Sequence, residues 1–196
     1  VGGRYLGIPS GQSNGAMNYR ISWFKEAGVA NAEDGNKLDM TWEEYHGVAK
    51  KLKAKGKPFG QALGHSTGDP PAFCYPYMWC NGAMEVEKDG KTIAFNKPQF
   101  VDAMKRFIQA WKDGYDETGT SWDDSSNNRA FLSEQISCTL NASSIYFAAK
   151  KDKPHIAQDM NHMLMPKGPA GRFYLLGTRT FGILKNSKNI PAAKEF

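Results

Sequence analysis

Apolar residues recur at helical spacing in two long segments and in short runs between turn residues elsewhere. The clearest helix spans 40–55, where Trp42, Tyr45, Val48, Ala49 and Leu52 share one face and Gly56 stops the pattern. Thr41 and Glu44 have the S/T-x-x-E spacing of a capping box, and Met40 stands where it can staple onto Tyr45. A second stripe runs through Phe100, Met104, Phe107, Ile108 and Trp111, with Asn96 as its expected cap, Gln99 at the third helical position and Gly114 at its end. A shorter amphipathic helix covers 20–27, with Gly28 beyond its end. Short strands are expected at 5–8 (closed by Pro9), 16–19, 59–63, 136–140 and 162–165, and across 173–184 with a polar interruption at 177–180. A hairpin is expected over 84–95 around Asp89-Gly90. The helix at 72–81 carries Phe73, Tyr75, Tyr77 and Trp79 on nearly every side, so it should be buried, with Asp69 as N-cap and proline in its first turn. Helices alternating with strands give an α/β class.

The stretch Trp122–Tyr146 reads as polar loop, short helix, tight turn, buried strand and a further helix start. Ser125 or Ser126 is a plausible cap for the short helix, because a hydroxyl accepts from free first-turn N–H groups. In a sheet flanked by helices, strand C-terminal ends open onto ligand crevices. Asn141–Tyr146 is therefore either a ligand-facing loop or an ordinary strand-to-helix connection with Ser143 as cap.

Composition narrows the class without naming a reaction. The 196 residues are 40% hydrophobic and 23% charged, ordinary for one large globular domain or two smaller ones. The net charge of +5 is dispersed, and its densest run, 50–57, sits at a helix C-terminus where the dipole favours cations, so a solvated face is preferred to a nucleic-acid patch. Three cysteines, Cys74, Cys80 and Cys138, do not pair into a disulfide framework. No apolar run reaches the roughly 20 residues of a membrane span. The opening at Val1 without an initiator Met, and the close in what reads as the first turns of a helix, fit a piece of a longer polypeptide.

Reactive and metal-binding signatures fail in turn. There is no P-loop and no G-x-G-x-x-G, the four histidines lack H-E-x-x-H spacing, and Cys74 with Cys80 is not a C-x-x-C pair. No cofactor is expected. Asp123-Asp124 is either a carboxylate pair or a solvated loop, and His65-Ser66 lacks the third member of a triad. What remains is a set of polar and aromatic loops: 10–14, 65–73, 141–146 and 177–180. Hydroxyls and amides hydrogen-bond a hydroxyl-rich ligand, rings stack on its C–H faces, and Arg179 can fork onto a carboxylate or vicinal hydroxyls. For each such residue the plainer reading is capping or packing.

Several blocks resemble, in order, the extracellular solute-binding proteins of ABC importers, in particular the carbohydrate-binding, maltose-binding-protein-like group. They are Arg4–Pro9 through Met17–Arg20, Trp23–Val29, the Thr41-Trp42-Glu43-Glu44 block, Asn81-Gly82-Ala83, Ala130–Ala142, Gly182–Leu184 and Ser187–Phe196. Arg20 stands where asparagine is usual, and Glu134 where a turn glycine is usual. The resemblance implies a type II periplasmic-binding-protein-like α/β fold, mostly one lobe: 1–10 as a hinge strand, 11–172 as the second lobe, and 173–196 as a hinge crossing with a fragment of the first lobe. It implies a periplasmic, monomeric binder of a sugar or polyol, with ABC permease subunits as partners, no nucleic acid and no catalysis. The ligand residues implied by position are Ser13, Asn14, Asp69, Pro71, Phe73, Ser143, Ser144, Tyr146, Arg179 and Thr180, to which the loop reading adds His65 and Asn141. An aromatic near Ser144 and Tyr146 often stacks on sugar in that family, and Tyr146 alone keeps a ring there. A carbohydrate-active enzyme, with Asp69 and Asp123 or Asp124 as its carboxylates, and a sensor domain are the rival readings.

Overall fold

The computed structural model describes residues 7–13 and 15–195, the side chains of Pro9, Ser10, Gln12, Ser13 and Thr178 excepted. Contacts divide the chain into two compact units, 1–14 with 176–196, and 15–175.

The larger unit is built on a three-stranded antiparallel sheet. β2 (Ala16–Arg20) lies between β3 (Cys138–Asn141) and β4 (Met160–Met163). Tyr19 pairs with Cys138 on one side and Asn161 on the other. Around the sheet lie α1 (Ile21–Glu26), α2 (Trp42–Lys53), α3 (Asp69–Cys80), α4 (Pro98–Gly114), α5 (Ser126–Leu132), α6 (Ser144–Asp152) and α7 (Pro154–Gln158).

α2 starts as its sequence demands. The Thr41 hydroxyl accepts from the Glu44 N–H at 3.2 Å while the Glu44 carboxylate accepts from the Thr41 N–H at 2.7 Å, which completes the capping box. α2 and α4 meet where a Cβ on Gly114 would lie 2.6 Å from the Ala49 Cβ, so only glycine permits that approach. The apolar faces of α2, α3 and α4 build one aromatic core. Trp42, Phe73, Tyr77, Phe107, Trp111 and Tyr115 are buried there, mostly in tilted or edge-on pairs, as ring quadrupoles prefer. A smaller cluster of Phe131, Ile136, Ile145, Ile156 and Met160 ties α5, α6 and α7 together. Cys80 and Cys138 are buried free thiols and Cys74 is half-buried and free.

Several expectations are corrected. The stretch at 59–63 is extended but is not a ladder strand: Gly60 N donates to Cys138 O at 2.9 Å, yet Leu140 N donates to the Gln61 side chain rather than to a backbone carbonyl. The hairpin at 84–95 is present but short: Val86 bridges Ile93, Glu87 N donates to Thr92 O at 2.8 Å and Ala94 N to Glu85 O at 2.9 Å. Lys97, not Asn96, occupies the N-cap of α4, with no side-chain cap bond. β4 ends at Met163, ahead of Pro166.

Glu134 has a φ of 62°, the left-handed region where glycine is the usual occupant. Its carboxylate is held by Arg20 Nη1 at 3.1 Å and His155 Nε2 at 3.1 Å, and the buried Arg20 also bonds Asp159 at 3.0 Å. The two residues that depart from the family pattern are thus ion-pair partners. The arginine secures the carboxylate on a turn that has no glycine.

The smaller unit pairs β1 (Ile8–Ser13) antiparallel with β5 (Gly177–Phe181), and ends in α8 (Ile190–Glu195). Both polar segments expected as a loop and as an interruption, 10–13 and 177–180, are strand. Backbone pairing needs no apolar side chain, and the register shift between Pro9 and Gly11 absorbs the proline. The expected strand at 5–8 lies mostly outside the described residues.

Candidate functional site

At one end of the larger unit's sheet, the last residue of β3 and the first turns of α3, α5 and α6 come together. Asp69 is the hub. Asn127 Nδ2 donates to its Oδ2 at 2.6 Å, and Asn141 Nδ2 approaches the same oxygen at 3.5 Å. Asn127 is fully buried and also donates toward Thr139 Oγ1 and Leu140 O, each at 3.3 Å. Asn141 donates to Asn128 Oδ1 at 2.6 Å and accepts from Ala142 N at 2.7 Å. One carboxylate oxygen is therefore fixed by two amides that are themselves anchored to the sheet. Partial burial pushes the Asp69 carboxyl up to about 6, the Asn127 bond works against that rise, and the neighbouring Asp124 charge adds to it.

Asp69 does not cap α3; it is the helix's first residue. The cap comes from far along the chain. Asp124 Oδ1 accepts from Asp69 N at 2.8 Å and Ser66 Oγ at 2.6 Å, while Oδ2 accepts from Gly68 N at 3.2 Å. A Cβ at Gly68 would sit 2.9 Å from Asp124 Oδ2, so glycine there keeps the cap seated. These bonds hold Asp124 below the ordinary carboxylate range. Asp123 likewise accepts from Ser125 N at 3.0 Å and from the Ser125 and Ser126 hydroxyls at 2.8 and 2.7 Å, ahead of α5. The serines expected to cap α5 donate to Asp123 instead, and Ser125, at the N-cap, makes no side-chain cap bond.

The other expected site residues separate into groups. Ser143 and Ser144 are exposed at the start of α6, where Ser143 makes no side-chain cap bond. Tyr146 is half-buried on α6, with its ring edge-on to Phe147 and His162. His65 is exposed on the loop before α3, and Pro71 is half-buried in that helix's first turn. Phe73 leaves the candidate set: it is completely buried against Trp42, Phe107 and Tyr115 and offers no face to a ligand. One helical turn past Asp69 the chain has already entered the core. Arg179 and Thr180 are exposed on β5 of the smaller unit, where their backbones pair with Gly11 and Pro9. Ser13 pairs through its backbone with Gly177, its side chain lies outside the described residues, and so does Asn14. The expectations did not include Asn127 and Asn128. The available signal was the Asn pair placed to follow a helix start, whose amides face a strand end rich in carbonyl acceptors.

Residues 2–196 match the family model described as bacterial extracellular solute-binding protein, and the chain belongs to that family. A binding protein of Brucella abortus is 26% identical over 190 residues, which is 95% of this chain and 44% of that relative. The chain spans about half the length of the solved structures it matches. The maltose-bound MalE3 of T. maritima aligns with a TM-score of 0.81 at 22% identity, over 100% of this chain and 50% of its own. A solute-binding protein of Agrobacterium radiobacter in complex with ribitol gives 0.78 at 20%, over 100% and 48%. One from Agrobacterium vitis with bound D-mannitol gives 0.73 at 18%, over 100% and 46%. The fold is that of periplasmic binding proteins, over about one half of their chain.

Proposed function

We propose that the Asp69–Asn127–Asn141 face is one wall of a binding site for a neutral sugar or polyol. In this reading the whole protein is the periplasmic substrate-binding component of an ABC importer, with the ligand caught between two lobes. The supporting observation is the anchored carboxylate. Asp69 Oδ2 is tied to two amides, which orients the group to accept from ligand hydroxyls, and the exposed Ser143 and Ser144 hydroxyls stand at the start of the helix that follows Asn141. Ligands named for the structural neighbours, maltose, ribitol and D-mannitol, are of this hydroxyl-rich class. Tyr146, half-buried on α6, supplies the ring. The mechanism is hinge closure around ligand, with the closed form docking the permease as a monomer.

The glycosidase reading is disfavoured by the use of its second carboxylates. Asp124 is committed to the α3 cap and Asp123 to the loop ahead of α5, which leaves Asp69 without a free partner. Thermal-shift screening of the full-length protein against maltose, D-mannitol, ribitol and D-tagatose is expected to raise Tm with at least one. Shifts only with amines or peptides would refute the sugar assignment.

A further inference from the structure

The amides around Asp69 have fixed orientations, and these determine which polar atoms are left over. Asn141 Oδ1 accepts from the Ala142 N–H at 2.7 Å, so Asn141 Nδ2 is the atom that faces Asp69 Oδ2 and Asn128 Oδ1. In the same way Asn127 Oδ1 accepts from the Asn128 N–H at 3.0 Å, which turns Asn127 Nδ2 onto Asp69 Oδ2. A backbone N–H only donates, so neither amide can flip without losing a bond. The orientation of Asn128 follows from theirs. Its Oδ1 meets the Asn141 donor at 2.6 Å, and its Nδ2 is left free.

Two atoms of the network thus have no hydrogen-bond partner among the described residues, Asp69 Oδ1 and Asn128 Nδ2. Both residues are half-buried, and neither atom is sealed from solvent. The ionised carboxylate oxygen only accepts, and the amide nitrogen only donates. Asp69 Oδ2 and Asn128 Oδ1 share one nitrogen, so the two groups stand within about two hydrogen-bond lengths of each other. Adjacent hydroxyls on one carbon chain can span that gap, since each hydroxyl both donates and accepts. No cation pairs with Asp69 among the described residues, and Arg129 is turned to Ser125, Ser126 and Asp123. The pair therefore suits an uncharged ligand better than an anion.

We propose that Asn128 contacts the ligand and, paired with Asp69, selects a vicinal diol. One hydroxyl donates to Asp69 Oδ1 while the oxygen of its neighbour accepts from Asn128 Nδ2. The inference rests on the sugar or polyol reading of the Asp69 face and adds a specificity-determining residue to it. Asn127, which is fully buried, is a positioning residue only.

The test uses isothermal titration of the full-length protein with the carbohydrate that gives the largest thermal shift and with its monodeoxy analogues. In the wild type, two analogues that lack adjacent hydroxyls are expected to bind about tenfold more weakly than the parent. Asn128→Ala is expected to weaken the parent by a similar factor and to bind one of those two analogues as well as the parent, because the missing hydroxyl has no donor left to lose. Asp69→Ala is expected to do the same for the other analogue. Alanine is a better helix former than asparagine, so Asn128→Ala should keep α5. If Asn128 served only to hold Asn141, Asn128→Ala would weaken the parent and every analogue alike. That result overturns the proposal, as does undiminished affinity in Asn128→Ala. Wild-type losses confined to hydroxyls that are not adjacent overturn it without any variant. In each of these cases carbohydrate still binds and the sugar reading stands, whereas silence with every carbohydrate removes both.

Discussion

α3 connects two regions that handle polar groups in opposite ways. In the aromatic core it delivers Phe73 and Tyr77 into close packing, and His46 beside those rings is held neutral, lowered to about 4 by burial. At its N-terminus it delivers Asp69 to a half-solvated network of amides that keeps a carboxylate usable. The difference shows what can be a site here. The core excludes ligand by density. In the proposed reading the sheet end admits it, since its polar groups are oriented by the protein yet only partly consumed by it.

The sharpest test of that division is Phe73→Ala. As a core ring it should cost about 3–5 kcal/mol of unfolding free energy in denaturant melts. A ligand-facing ring would instead cost affinity with stability unchanged. Asp124→Ala should cost about 0.5–2 kcal/mol by removing the cap of α3, and Asp124→Asn should retain much of it, by the same melts. If Asp124 were catalytic rather than a cap, both variants would fold with wild-type stability.

Asp69 gives a pH signature. Its folded-state carboxyl is raised to about 6 from an ordinary value of 3.8, so the folded protein holds the proton more tightly than the unfolded chain. Its contribution to stability should fall as pH rises from about 4 to 6 and stay level above that. Asp69→Asn should flatten this segment of the Tm–pH profile. Affinity for a hydroxyl-donating ligand should run the other way in the wild type, weakening below about pH 6 as the carboxylate is protonated. His46 has the opposite sign, since its folded pKa is depressed: it should draw stability away as pH falls from about 6.5 toward 4.

The smallest expected effect lies at the turn before β3. Glu134→Ala loses the bonds to Arg20 and His155 but keeps the left-handed strain, whereas Glu134→Gly loses the bonds and relieves the strain. The glycine variant should be the more stable of the two by about 1 kcal/mol in thermal melts.

The elements most legible in the sequence are those whose signals are local. The Thr41–Glu44 box, the stripe of α4, β2 and the strand at 138–141 all carry their cause within a few residues. What misleads is action at a distance. Asp69 looks like a cap because caps are usually local, but its N–H is served by Asp124. The stretch at 59–63 has strand composition, yet a glutamine side chain takes the ladder bond. Ser10–Ser13 and 177–180 look like loops because their strand character rests only on mutual backbone pairing. The candidate site was half legible: Asp69 and Asn141 meet in one network, Phe73 is buried in the core instead, and Asn127, the other amide on the carboxylate, was not singled out.

The central claim is that Asp69, oriented by Asn127 and Asn141, contacts a neutral sugar or polyol. Isothermal titration of the full-length protein and its Asp69→Ala variant, with the carbohydrate that gives the largest thermal shift, tests it most directly. The account predicts at least a tenfold loss of affinity in a variant that remains folded, consistent with removal of a charged hydrogen-bond acceptor. Undiminished affinity in Asp69→Ala would contradict it.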